Sequence, residues 1–141
     1  MSEPVAELRV RVRRGKGGVV VVKVWRTLAD LRARYRAWGG RGGRRIYGFC
    51  QIYDHYKESG RKARDFAEIG LCARHLTQTI VAHEAGHAAI GWMEKAGIRG
   101  AELEADDRGQ ATDGEESVCY VLGDIVGGIT AGLRGLGYEL G

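Results

Sequence analysis

Leu8, Val10 and Val12 alternate with Arg9, Arg11 and Arg13, the period of two that turns one face of a strand to a core and the other to water. Gly15-Lys16-Gly17-Gly18 supplies turn chemistry for a hairpin into Val19 to Trp25, where valines on both faces predict a more central strand. Thr27 stands three residues before Asp30, a capping-box-like start for a helix. That helix repeats Leu28, Leu31, Tyr35 and Trp38 on one side, carries Arg32, Arg34 and Arg36 on the other, and stops at Gly39-Gly40. A Gly/Arg connector leads to a strand-like run from Ile46 to Tyr53, then a polar, basic stretch from His55 to Arg64. Ala67, Ile69 and Leu71 alternate with Glu68, Gly70 and Cys72 as a fourth short strand. Leu76 to Lys95 reads as a long helix ended by Gly97. Residues 98 to 114 form an acidic loop, and a final helix begins near Glu115 or Glu116 and runs through Val118, Leu122, Ile125 and Ile129.

This order of elements predicts one α+β domain over residues 1–141: a small mixed or antiparallel sheet with two helices packed on one face. A basic hairpin, helix and strand fill 1–66, and a strand, helix, acidic loop and helix fill 67–134. The length of 141 residues suffices to bury roughly two thirds of the unfolded surface. With 44% apolar residues and a single Pro, the composition excludes wholesale disorder. The 23 glycines cluster in short runs such as Gly39-Gly40 and Gly127-Gly128, which predicts tight turns and close backbone approach. Three widely spaced cysteines without a CxxC pair argue against a disulfide framework and for small reduced core residues. The longest apolar stretch, Val118 to Leu133, is broken by Asp124 and several glycines, so no membrane span is expected and the expected location is cytoplasmic.

Charge is divided unevenly. Residues 1–66 carry 17 Lys/Arg against 6 Asp/Glu, whereas residues 67–141 carry 5 against 12. Without a recognised reading motif, this asymmetry predicts at most weak, sequence-independent nucleic-acid binding, the simpler outcome being two halves that attract each other when they pack.

The chemistry is concentrated in Ile80-Val81-Ala82-His83-Glu84-Ala85-Gly86-His87, an HExxH pattern inside an independently helical segment. At 100° per residue, His83 and His87 lie about 40° apart, one turn from each other, so both imidazoles can reach one zinc ion. Glu84 projects beside them as the candidate general base. A catalytic zinc needs a third protein ligand, and no further histidine follows at a fitting spacing. Glu116 shares a helix face with Cys119, Gly123 and Gly127, small residues that would let that face lie against the HExxH helix, and is the expected ligand. Glu115, on the bulky Val118/Leu122 stripe, is the alternative. Weaker candidates are Tyr120 for an oxyanion or a ligand, His55 and His75 for a transition state, and Asp106, Asp107 and Asp113 as partners of the histidines.

His83-Glu84-x-x-His87 followed by Glu116-x-x-Cys119-Tyr120 resembles the gluzincin group of zinc metallopeptidases, and in size it is similar to minimal single-domain versions often encoded by phages and prophages. The resemblance covers roughly residues 67–124. It implies a zincin-like fold, a Zn2+ cofactor, His83, His87 and Glu116 as ligands, Glu84 as general base, and a peptide or protein substrate lying along an edge strand, here residues 67–72. The competing expectation is a non-catalytic zinc-stabilised scaffold whose basic half binds nucleic acid or an acidic protein.

Overall fold

The computed structural model describes residues 2–53 and 64–141. Four strands, β1 (Ala6–Val12), β2 (Gly18–Trp25), β3 (Gly48–Ile52) and β4 (Asp65–Cys72), and three helices, α1 (Leu28–Ala37), α2 (Gln78–Lys95) and α3 (Asp113–Gly135), form a small α+β domain. The sheet is mixed, in the order β1-β2-β4-β3. β1 pairs antiparallel with β2, β2 parallel with β4, and β3 antiparallel with β4. The parallel pair requires a crossover, and α1 lies in it.

Period-two alternation sorts the strand residues onto two faces. On the front, Val10, Val12, Val20, Val22, Val24, Ala67, Ile69 and Leu71 meet Val81, Ala85, Ala88 and Trp92 of α2 and Val121, Ile125, Ile129 and Leu133 of α3. On the back, Trp25, Phe49 and Cys72 meet Leu31 of α1, with Leu28, Tyr35 and Trp38 packed around them. Gly70 is required here because a Cβ at that position would fall inside the Phe49 ring. The helix starts follow the capping chemistry: Thr27, Thr77 and Thr112 each accept a hydrogen bond from the backbone three residues on. α3 starts at Asp113, two residues ahead of the expected position, because Thr112 rather than a glutamate is its cap.

Three expectations change. Residues 67–72 are not an edge: β4 is paired on both sides and buried along its whole length, and β3 is the edge on that side. Glu68 of this strand is itself buried under α1. Gly127-Gly128 is no turn but the middle of α3, where Gly128 admits Val10 of β1. Of the cysteines, Cys72 is buried and Cys50 half-buried, but Cys119 is exposed. α3 is long and apolar enough to cross a membrane, yet its apolar stripe Val121, Ile125, Ile129 and Leu133 is fully buried in the front core.

Candidate metal centre

α2 lies on the front face beside β3, and two glycines set how closely. At Gly91 a Cβ would collide with Ile52, and at Gly48 it would stand 3.1 Å from both Glu84 Oε2 and Ile80 Cγ2. Backbone and helix therefore approach until Glu84 is buried against the first residue of β3. Counting 100° per residue, the core face of α2 is Val81, Ala85, Ala88 and Trp92. Glu84 marks its β3 border, and His87 and His83 continue round the helix beyond that border. Both histidines are exposed and Glu84 is buried.

The ligand atoms of His83, Glu84 and His87 all lie within 4.8 Å of one another. His83 Nε2 and His87 Nε2 are 3.3 Å apart, with the rings at 77°. Two imidazoles bound tetrahedrally at Zn–N distances of about 2.0–2.1 Å would hold their nitrogens roughly 3.4 Å apart, so the pair fits a single zinc ion. Burial raises the Glu84 carboxyl above its ordinary value, with the nearby His83 pulling the other way. A carboxylate raised in this way is a better proton acceptor than an exposed one. On the facing strand, burial and the charge of Glu84 push the Cys50 thiol up to about 12.

The other candidates stand elsewhere. Glu116 is exposed and Glu115 half-buried in the first turn of α3, and no metal-binding group among the described residues includes either. The packing argument for Glu116 also fails. Gly123 and Gly127 on its face are exposed with nothing near them, while the glycines that do admit a neighbour, Gly128 and Gly132, meet Val10 and Leu8 of β1. α3 packs through the Val118 and Leu122 side, the stripe that carries Glu115. Tyr120 is 57% exposed, with Arg14 over its ring at 4.8 Å, on the side of the β1–β2 hairpin. Asp106 accepts hydrogen bonds from the backbones of Arg108 and Gln110 in its own exposed loop, Asp107 is exposed, and Asp113 belongs to the first turn of α3. His75 packs against Tyr47, just before β3, with ring centres 5.1 Å apart and planes tilted by 58°. His55 lies outside the described residues.

A cavity of about 550 Å³ lies at the opposite end of α2, lined by Lys16, Phe66, Trp92, Lys95 and Ile98 among others. It contains neither histidine, and the donor chemistry, not concavity, marks the candidate centre.

Sequence reading missed a second polar cluster, on the back of the sheet. Glu68 accepts hydrogen bonds from Arg34 Nε at 2.8 Å, Arg34 Nη2 at 2.7 Å and Trp38 Nε1 at 2.8 Å, and Lys23 Nζ is 3.1 Å away. Burial disfavours its charge, but these donors outweigh burial and hold the carboxyl below its ordinary value. Arg34 and Trp38 lie one helical turn apart on α1 and could have been paired; nothing local points from them to Glu68.

No protein-family model, curated protein or solved structure matches this chain.

Proposed function

We propose that the chain is a zinc-dependent metallopeptidase of zincin-like type, with His83 and His87 as metal ligands and Glu84 as general base. The observation that carries this reading is the 3.3 Å approach of two exposed imidazole nitrogens beside a buried glutamate whose proton affinity is raised. Zinc held there would polarise a scissile carbonyl and acidify water, which is the Lewis-acid chemistry that peptide hydrolysis needs. Glu84 takes the proton of the attacking water and delivers it to the leaving amine. Gly48 and Cys50 flank that carboxylate on the β3 side, and its partial burial raises its proton affinity. An extended peptide lies along the outer edge of β3, whose unpaired backbone groups can add a further strand, and this replaces residues 67–72 as the docking edge.

The test joins metal analysis to cleavage. Purified protein is expected to carry about one zinc per chain, to lose it in His83→Ala, and to cleave a mixed pool of denatured peptides. Glu84→Gln is expected to keep the zinc and lose cleavage. Zinc-loaded protein that cleaves nothing across a broad pool supports the scaffold reading instead. If Glu115→Ala and Glu116→Ala both retain the metal, α3 supplies no ligand and the gluzincin resemblance fails while the two-histidine site stands.

A further inference from the structure

The segments that lead into β3 and into α2 are cationic. No Asp or Glu occurs in residues 31–53 or 69–83, the segments that contain β3, the approach to it from α1, and the approach to α2. Arg44, Arg45 and Arg74 are exposed there. One further cation is held in place: Arg32 of α1 donates through Nε to the carbonyl of Ile46 at 3.2 Å, and its guanidinium lies 5.7 Å from the centre of the Tyr47 ring. Tyr47 is 46% exposed and is braced by His75 at 5.1 Å. Among the described residues the ion pairs involve Arg9, Lys23 and Arg34, and none involves Arg32.

This cation sits on the residue that leads into the Glu84 corner. Tyr47 immediately precedes Gly48, and a Cβ on Gly48 would be 3.1 Å from Glu84 Oε2. With about 3.8 Å between consecutive Cα atoms, the Tyr47 backbone is within roughly 9 Å of the Glu84 carboxylate. A peptide extended along β3 turns successive side chains to opposite faces of the sheet. Those on the front meet Glu84 and the histidines of α2, and those on the back meet Tyr47 and the guanidinium of α1. An arginine anchored through Nε and an aromatic face has both terminal nitrogens left to grip a carboxylate in bidentate fashion, with part of its conformational entropy already lost.

We infer that Arg32, seated on Tyr47, forms a carboxylate subsite on the back of β3 and makes the substrate an acidic peptide, an inference that rests on the metallopeptidase reading above. The carboxylate comes either from an Asp or Glu side chain near the scissile bond or from the C-terminus of the peptide. The second source would make the enzyme a carboxypeptidase.

Matched peptides separate these cases: one with an internal Glu, its Gln twin, and each with a free or amidated C-terminus. Cleavage by the zinc-loaded wild type is measured together with calorimetric binding to zinc-loaded Glu84→Gln protein, which reads recognition without turnover. The acidic member is expected to bind at least tenfold more tightly than its neutral twin, with the gap expressed in KM and narrowing as salt rises. Arg32→Gln is expected to abolish the gap, and Arg32→Lys, which keeps the charge but not the fork, to restore part of it. Thermal melts of both variants separate loss of recognition from loss of fold, and if Arg32→Gln does not fold, Tyr47→Ala serves in its place. Equal binding of acidic and neutral peptides, or a gap that survives Arg32→Gln, overturns the subsite. Arg32-dependent binding of acidic peptides without any cleavage upholds the subsite and sinks the metallopeptidase reading.

Discussion

Two glutamates are buried among the described residues, one on each face of the sheet, and their surroundings differ in kind. Glu68, on the back, is wholly enclosed and receives three hydrogen bonds and two cations. Glu84, on the front, is 6% exposed and joins none of the ion pairs among the described residues. Similar burial thus produces opposite shifts: the Glu68 carboxyl is held below its ordinary value and that of Glu84 above it. A buried charge that is fully paired is architecture, and one buried without a paired cation beside two convergent imidazoles retains a driving force to take a proton. The contrast distinguishes the front cluster from the back one without reference to any sequence pattern.

The strongest way to break this contrast is to neutralise each carboxyl without changing its shape. Glu84→Gln is expected to lower peptide turnover by about 10²- to 10⁴-fold with zinc content unchanged, whereas Glu68→Gln is expected to leave turnover per folded molecule near wild type. Initial rates on one peptide substrate, normalised to metal content, check both. Equal losses would mean that Glu84 has no special chemical role.

Stability should respond in the reverse order. Replacing Glu68 by Ala strands Arg34 and Lys23 in a half-buried layer, and breaking a buried ion cluster from one side costs about 3 kcal/mol. Urea unfolding is expected to show a loss of that size. Glu84→Gln in metal-free protein is expected to be neutral or stabilising at pH 7.

The two sites should also have opposite pH signatures. Glu84 has a raised folded value, so its ionisation is a cost that grows as pH rises above the ordinary carboxyl value near 4.5. Metal-free Glu84→Gln therefore gains on wild type between pH 4 and 7. Glu68 has a lowered folded value, so its contribution is complete above about 4.5 and is lost as pH falls through the lower folded value. The deficit of Glu68→Gln is expected to shrink toward acid pH. Melting curves across this range that show the same sign for both variants would contradict the assignment.

The smallest effect concerns the wall of the front site. Gly48→Ala places a methyl 3.1 Å from Glu84 Oε2 and Ile80 Cγ2, and an overpacked position of this kind costs about 1 kcal/mol. Its signature is a modest fall in thermal stability with a larger fall in zinc affinity, as α2 is lifted from β3.

The alternation of Leu8, Val10 and Val12, the Thr27 cap and the HExxH helix were legible because each rests on residues within one or two turns of each other. The edge strand was misplaced for the opposite reason. Whether β3 or β4 is outermost depends on which strand receives the crossover through α1, and a strand of eight residues looks alike in sequence whether one or both of its edges are paired. Likewise, nothing near Glu68 in sequence shows that α1 brings Arg34 and Trp38 over it.

The sequence by itself determined the elements, the two-faced α2 and the spacing that joins His83 to His87, because helical and strand periodicities are local backbone geometry. Only the tertiary structure decided that β3 is the edge beside Glu84, that the Glu116 face of α3 turns away from α2, and that Arg32 of α1 reaches Ile46 and Tyr47 just ahead of β3. Those juxtapositions join residues distant in the chain, and they are selected by how layers bury their apolar faces together, which no local pattern encodes.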